Sequence, residues 1–185
     1  MAKQAVFLTR RRQQIYDRII RVDHAGELGA DRIYCGQMAV LGRDEKNGPV
    51  IQSMWDQEKD HLKAFQLMGL KYRTSQSILS PFWSAAGFVL GAGSALLGPR
   101  SAMACTVAVE KVITDHYNDQ IRELIADDPV LHKDMITKLS SFRDDEQHHH
   151  DTGLAHEAEQ AIGYQVFTKG IQMICRVAIR IAEKV

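Results

Sequence analysis

Two short motifs pair a glutamate with a histidine three residues later, and both are suited to binding a metal ion. They are Glu58-x-x-His61 and Glu146-x-x-His149. An α-helix turns once in about 3.6 residues, so side chains three apart share a face and can hold one ion. Carboxylate and imidazole ligands suit iron or manganese better than structural zinc, which favours thiolates. One such motif is weak evidence, but two copies 88 residues apart predict the halves of a buried two-metal site.

A two-metal site needs further carboxylates, and each motif has a candidate on the helical stretch before it. Glu27 precedes Glu58 by 31 residues. Glu110 precedes Glu146 by 36 residues, after a run of small and apolar residues in which an unpaired carboxylate is costly to bury. The order, a glutamate and then Glu-x-x-His, twice, matches the four-helix bundle that binds two irons or two manganese ions. The alternative is that Glu27 and Glu110 are helix surface residues.

The second motif has an alternative register. Asp145 and His148, one residue earlier, have the same three-residue spacing. We prefer Glu146 with His149, because this pair repeats the form of the first motif and a longer carboxylate bridges two metals more easily. The remaining acids and imidazoles of this stretch are then solvated groups or groups that orient the ligands.

Tyr117 is a candidate neighbour of the metal site. It lies seven residues, about two helical turns, beyond Glu110 and therefore shares a face with it. A tyrosine there is suited to donating a hydrogen bond or to a redox role, and an ordinary core tyrosine is the alternative. His116 precedes it, and we treat both residues as candidate catalytic neighbours of the ligands.

Apolar residues recur with helical periodicity through most of the chain, and no strand-like alternation competes, so the fold class is predicted to be all-α. Turn residues such as Asp127-Asp128-Pro129 separate the helices. The expected helices, the last of them amphipathic, span about residues 12–41, 49–72, 102–126, 130–153 and 157–184.

The composition bounds the partners and the organisation of the chain. Its 185 residues, 45% of them hydrophobic, suit one domain, assigned to residues 19–185 after a basic N-terminal segment, 1–18. The 23 basic and 23 acidic residues cancel, so no nucleic-acid partner is predicted. Three scattered cysteines indicate free thiols in a reducing compartment. The basic segment is either the remnant of a mitochondrial presequence or a basic helix start near a membrane.

One segment, Thr74 to Pro99, carries no charge over 26 residues but is broken by glycines and a proline. It is long enough to span a bilayer, although its hydrophobicity is modest. Three interpretations stay open: a membrane-spanning helix, a buried crossover on the bundle, or an interfacial helix that borders a lipid or its channel. The spacing of Gly87 and Gly91 permits close helix packing in each case.

Five stretches carry a resemblance to a known family. They are Arg21-Val22-Asp23-His24-Ala25-Gly26-Glu27, Met54 through Leu62, Gly98 through Glu110, His116-Tyr117-Asn118, and Phe142 through Glu146 with His149. In these stretches, and over about residues 19–184, the sequence resembles the demethoxyubiquinone hydroxylase family of ubiquinone biosynthesis.

The resemblance implies a ferritin-like four-helix bundle with a di-iron centre, an additional hydrophobic helix and a C-terminal amphipathic helix. It implies an O2-dependent monooxygenase that hydroxylates the ring of a polyprenylated demethoxyubiquinone, or its quinol, in the penultimate step to ubiquinone (coenzyme Q). Two iron ions are the implied cofactor, and O2 and a reductant, expected to be NADH, are the co-substrates. The family's metal ligands fall on Glu27, Glu58, His61, Glu110, Glu146 and His149.

The resemblance also implies a peripheral membrane protein. The expected location is the matrix side of the mitochondrial inner membrane, or the cytoplasmic face of a bacterial membrane, with a lipid-presenting partner protein and a ubiquinone-synthesis complex as partners. Residues 74–99 would then border the path of the isoprenoid tail. The rivals are a ferritin-like iron-handling protein, which has no evident need for that segment, and a non-enzymatic lipid-binding scaffold.

Overall fold

The computed structural model describes residues 9–185, and this part of the chain folds into helices without any strand. The all-α prediction is confirmed. The structure also contains one 3-10 turn, Ala158–Gln160. The helices are α1 Arg10–Leu41, α2 Gly48–Tyr72, α3 Ser80–Leu96, α4 Pro99–Asp127, α5 Lys133–Ala155 and α6 Tyr164–Ala182.

Four of these helices form the bundle. Helix α1 packs along α2, α4 packs along α5, and α1 also contacts α4. The bundle has two separate apolar clusters, one near the α1–α2 turn with Ile51 and Met103, the other at the opposite end with Phe65 and Leu124. The polar residues of the predicted site therefore lie between two apolar layers, halfway along the helices.

Helix α3 lies against α1 through glycines. A Cβ on Gly91 would lie 1.9 Å from the carbonyl oxygen of Ile33, and a Cβ on Gly36 would lie 2.4 Å from the carbonyl oxygen of Phe88. Such a backbone contact is possible only because these positions lack side chains. The uncharged segment therefore packs on the bundle through one face of α3, and the interpretation that its other face borders a lipid stays a prediction. Among residues 9–185, no helix combines the length and the apolar character needed to cross a membrane.

The outer face of α3 remains apolar. Phe82 is 59% exposed, Val89 69% and Leu96 74%. Helix α6 packs on α4 and also exposes large apolar side chains, among them Met173 and Ile174. The two helices therefore add apolar surface outside the bundle, which is the pattern expected for the additional hydrophobic and amphipathic helices.

The predicted start of the last helix, at residue 157, is wrong. Glu157 and Gly163 both have left-handed backbone conformations, with φ of 64° and 67°, so a continuous helix cannot pass through them. A 3-10 turn fills part of the interval, and α6 starts at Tyr164. Helix α5 also begins later than predicted, since the Asp128 carboxylate accepts hydrogen bonds from the backbone N–H groups of Val130 and Leu131 and holds them in a turn.

The basic N-terminal segment is only partly described. Residues 10–18 belong to α1, in which Arg12 pairs with Asp127 at 2.7 Å. Residues 1–8 lie outside the described residues. The boundary at residue 18 and the possible presequence therefore stay predictions.

Candidate metal centre

The six predicted ligands meet in the middle of the bundle. Each of the four bundle helices contributes: α1 and α4 one glutamate each, α2 and α5 one Glu-x-x-His motif each. Every one of the six residues is at most 3% exposed. They are Glu27, Glu58, His61, Glu110, Glu146 and His149.

The ligand atoms form two overlapping groups. In each group the atoms lie within 4.8 Å of one another, as required around a single ion. Glu58 and Glu146 belong to both groups. One group is completed by Glu27 and His61, the other by Glu110 and His149. The arrangement offers two adjacent ion positions with two shared carboxylates.

Many of the candidate ligand atoms make no hydrogen bond to one another, as expected where they bind cations instead. Five carboxylate oxygens of the four glutamates, together with Nδ1 of His61, are buried without a well-aligned hydrogen bond among the described residues, although some of them lie close to one another. Leaving so many buried polar atoms unpaired is costly, and a cluster of them is the arrangement expected where cations bind. Oxygen and imidazole nitrogen are the donors that iron and manganese accept. The residues therefore fit a pair of such ions.

The electrostatics of the cluster lead to the same conclusion. Burial, and then the charges of the neighbouring carboxylates, raise the pKa values of Glu58 and Glu110 well above the usual range. Burial also raises the pKa of Glu27. For Glu146 burial acts in the same direction, but the close imidazoles of His149 and His61 together outweigh it and lower its pKa to about 2. Without cations, the cluster retains protons that metal binding would displace.

Both histidines turn Nδ1 toward the shared carboxylates. His61 Nδ1 lies 3.0 Å from Glu146 Oε1, and His149 Nδ1 lies 3.0 Å from Glu58 Oε1. Each histidine thus reaches the glutamate of the other motif as well as its own. Nδ1 is therefore the ring nitrogen available to an ion.

The opposite ring nitrogens face two residues that stand directly before the motifs. His61 Nε2 lies 3.2 Å from Asp145 Oδ2, and His149 Nε2 lies 2.9 Å from Gln57 Oε1. Asp145 is therefore placed behind a histidine, and His148 is exposed. Of the two possible registers of the second motif, the structure buries Glu146 with His149 and not Asp145 with His148.

Two tyrosines hold the lone glutamates. Tyr117 donates a hydrogen bond to Glu27, across the bundle, and not to Glu110 on its own helix. Sequence reasoning missed its counterpart, Tyr34, whose hydroxyl donates to Glu110 Oε1 at 2.8 Å. The signal was present, since Tyr34 follows Glu27 by the same seven residues that separate Tyr117 from Glu110.

The structure gives His116 a different environment. Its Nε2 lies 2.8 Å from the side-chain amide of Gln120 and 3.5 Å from Asp23 Oδ1. None of the six candidate ligands is among its hydrogen-bond or ion-pair partners within residues 9–185. His116 therefore belongs to a neighbouring polar cluster between α1 and α4, and not to the group of donor atoms.

An apolar cavity of about 440 Å³ lies against the two helices that carry Glu27 and Glu110. Helices α1, α3, α4 and α6 form its wall, which is lined by apolar side chains and glycines. Gly26 and Val109 belong to this wall, and each directly precedes a candidate ligand, Glu27 or Glu110. The cavity and the candidate metal centre therefore lie on different faces of the same two helices, α1 and α4.

A helical bundle with four inward carboxylates and two histidines in this order defines a ferritin-like protein with a candidate two-metal centre. Comparison with known proteins identifies the family. The family model described as "Ubiquinone biosynthesis protein COQ7" matches residues 14–182. The chain belongs to this family.

Similar proteins come from animals, fungi and bacteria. The chain is 57% identical over 168 residues to the human "NADPH-dependent 3-demethoxyubiquinone 3-hydroxylase, mitochondrial", with 91% of this chain and 77% of the relative covered. It is 46% identical to the Saccharomyces cerevisiae "5-demethoxyubiquinone hydroxylase, mitochondrial", with 91% and 78% covered. It is 44% identical to the Rhodospirillum rubrum "3-demethoxyubiquinol 3-hydroxylase", with 92% and 79% covered.

Proposed function

We propose that this protein is a demethoxyubiquinone hydroxylase, which adds a hydroxyl group to the ring of a polyprenylated precursor of ubiquinone. The observation that carries the proposal is an apolar cavity on two of the helices that enclose a buried cluster of four carboxylates and two histidines. The names of the relatives, all of them hydroxylases of this precursor, supply the substrate class. An apolar cavity suits an isoprenoid tail, because burying apolar surface is worth about 25 cal/mol per Å².

The six candidate ligands would hold two iron ions. Bound iron would supply the electrons and the open coordination positions needed to activate O2, which carboxylate and imidazole side chains alone cannot do. Glu58 and Glu146 would be shared between the ions, while Glu27 and Glu110 would each bind one of them. The reductant is proposed to be a nicotinamide nucleotide, with NADPH supported by the name of the human relative and NADH as the original expectation.

The protein contributes binding, orientation and exclusion of water. The hydroxyls of Tyr34 and Tyr117 each hold one carboxylate of the cluster in a fixed orientation. The apolar layers on both sides of the centre limit the entry of water, and a dry site strengthens the electrostatic interactions within it. Helices α1 and α4 carry both the lone glutamates and part of the cavity wall, so a substrate bound in the cavity would lie against two of the helices that would hold the ions.

We further propose a peripheral position on a membrane. The exposed apolar residues of α3 and α6 form a surface next to the cavity, and a tail too long for the cavity would extend along it. The proposed location is the matrix side of the mitochondrial inner membrane, supported by the mitochondrial relatives, with the bacterial cytoplasmic face as the alternative. A lipid-presenting partner protein and a ubiquinone-synthesis complex remain part of this proposal.

A ferritin-like iron-handling protein is less well supported. Iron storage needs the ligands but not an apolar cavity beside them, and the relatives are named as hydroxylases. The combination of cavity and ligands therefore favours an enzyme.

The proposal is tested by replacing Glu110 with alanine. Purified wild-type protein loaded with Fe²⁺ is expected to contain two irons per chain and to convert a demethoxyquinone, with O2 and NADPH or NADH, to a product heavier by one oxygen. Glu110→Ala removes a buried ligand, so iron content and hydroxylation should both be lost. Glu123→Ala, a half-exposed glutamate on the same helix that pairs with Arg18, is the matched control and should keep both. Two irons and full turnover in Glu110→Ala would contradict the ligand assignment.

A further inference from the structure

The bundle contains two similar halves that exchange contacts across the centre. In each half a tyrosine follows the lone glutamate by seven residues. Tyr34 of the first half donates to Glu110 of the second, and Tyr117 of the second donates to Glu27 of the first. Each half therefore orients the lone carboxylate of the other half with the same chemical group.

The histidines show the same exchange. The residue directly before each Glu-x-x-His motif accepts from the outer ring nitrogen of the histidine in the other motif. Asp145, on α5, serves His61, and Gln57, on α2, serves His149. The donor–acceptor distances, 3.2 Å and 2.9 Å, are those of ordinary hydrogen bonds.

The symmetry is broken in one place. The group behind His61 is a carboxylate, whereas the group behind His149 is a neutral amide. A carboxylate acceptor makes a stronger, charge-assisted hydrogen bond and increases the basicity of the imidazole that donates to it. An ion held by His61 and Glu27 would therefore be bound by the more basic histidine, although both candidate positions offer the same types of direct ligand.

We propose that Asp145 and Gln57 are positioning residues that make the two ion positions unequal. Asp145 strengthens ion binding at the position of His61 and Glu27, which fills first, while the amide of Gln57 leaves the position of His149 and Glu110 weaker. This inference rests on the proposed function, because it requires two ions at the centre. Unequal ions give an O2-activating enzyme one more strongly held ion and one whose coordination changes more readily.

The contact of Asp145 is distinct from ordinary surface pairing. Its side chain is 37% exposed, and His61 is its one ion-pair partner among the described residues. Its neighbour Asp144 is 68% exposed and pairs with Arg143 at 2.6 Å. The two aspartates thus provide a matched comparison of the same charge, one residue apart, with and without contact to a candidate ligand.

The test uses the metal-free full-length protein and anaerobic titration with Co²⁺, whose absorption spectrum reports coordination. Wild-type protein is expected to bind two ions in sequence, with clearly different affinities. Asp145→Asn keeps the shape and an oxygen acceptor but removes the charge, and it should weaken the tighter binding step by about 10-fold to 100-fold. Gln57→Glu adds the charge at the other position and should tighten the weaker step. Asp144→Asn is the control and should leave both steps unchanged.

A second measurement reads the asymmetry directly. Mössbauer spectra of ⁵⁷Fe-loaded wild-type protein should show two iron environments, which become more alike in Asp145→Asn and in Gln57→Glu. If Asp145→Asn and Asp144→Asn titrate alike, or if the wild-type protein binds two equivalent ions, the inference is wrong while the two-metal centre stands. If the wild-type protein binds no pair of ions, the proposed function itself fails.

Discussion

Replacing Gly91 with alanine tests the closest contact in the fold. The new Cβ would lie 1.9 Å from the carbonyl oxygen and 2.7 Å from the carbonyl carbon of Ile33. Both atoms belong to the backbone of α1, so no side chain can rotate away. Real Cβ atoms essentially never come within 3.0 Å of such a neighbour, so α3 and α1 must separate locally by about 1 Å.

The expected cost follows from two opposing effects. Forcing an extra methyl group into a tightly packed contact costs about 1–3 kcal/mol, and the upper end applies because the obstacle is backbone. Alanine is the better helix former and returns at most about 1 kcal/mol. The net loss in the free energy of unfolding is then about 2 kcal/mol, or about 4–8 °C in Tm for a domain of this size.

Gly93 is the matched control, on the same helix. A Cβ there meets nothing within 4 Å, so Gly93→Ala should gain the helix propensity without the clash and raise the free energy of unfolding by roughly 0.5–1 kcal/mol. Urea denaturation followed by circular dichroism measures both variants. Equal stability of the two variants, or a shift in the same direction, would refute the argument that glycine is required at Gly91. Because α3 lines the apolar cavity, Gly91→Ala should also raise KM for a long-tailed quinone more than for a short-tailed analogue.

Three further predictions concern the centre and the surface. The raised pKa values of Glu58 and Glu110 mean that the metal-free folded protein holds more protons than the unfolded chain, so its stability should fall as pH rises above about 4.5 through those raised values. The rise in Tm on adding Co²⁺ should accordingly be larger at pH 7.5 than at pH 5. Thermal scans at both pH values measure it, and a rise that does not depend on pH would contradict the prediction. Tyr34→Phe removes the hydroxyl that donates to Glu110. It should lower the free energy of unfolding of the metal-free protein, measured by urea denaturation, by about 1–3 kcal/mol. An unchanged urea midpoint would show that this hydrogen bond does not stabilise the fold. Leu96→Glu, on the exposed face of α3, should reduce flotation with anionic vesicles. The control is Val130→Glu, at a similarly exposed residue outside α3 and α6, which should not reduce flotation. Equal loss of flotation in both variants would argue against a specific membrane face.

The ligands could be predicted because their constraint is local. Three-residue spacing puts Glu58 and His61 on one helix face whatever the neighbouring helices do, and the same holds for the second motif. The lone glutamates needed one further step, the repeated order of the two halves. Their flanking apolar residues then indicated burial, and the structure places Glu27 and Glu110 beside the motifs.

The contacts between helices could not be predicted in this way. Tyr117 shares a helix face with Glu110, yet it bonds Glu27, because a side chain two turns along α4 reaches the neighbouring helix more easily than its own. From the sequence, Asp145 was an alternative to Glu146 as a metal ligand. Only the bundle geometry shows that its carboxylate contacts the Nε2 atom of His61. Apolar periodicity also placed the start of the last helix too early in the chain, because it does not indicate the left-handed backbone at Gly163.

The glycines of α1 meet two different requirements, close packing of helices and open space in the cavity, which the sequence alone does not distinguish. Gly36 is needed for packing, because a Cβ there would meet the backbone of α3 at 2.4 Å. Gly29 is not, because a Cβ there would meet nothing within 4 Å, and the residue lines the apolar cavity. With Gly26 and Ala30 it forms a strip of small residues along the cavity wall beside Glu27. Packing therefore explains why α3 can lie so close to α1, whereas the open space of the cavity, in which the proposed substrate would bind, explains why this part of α1 carries no large side chain.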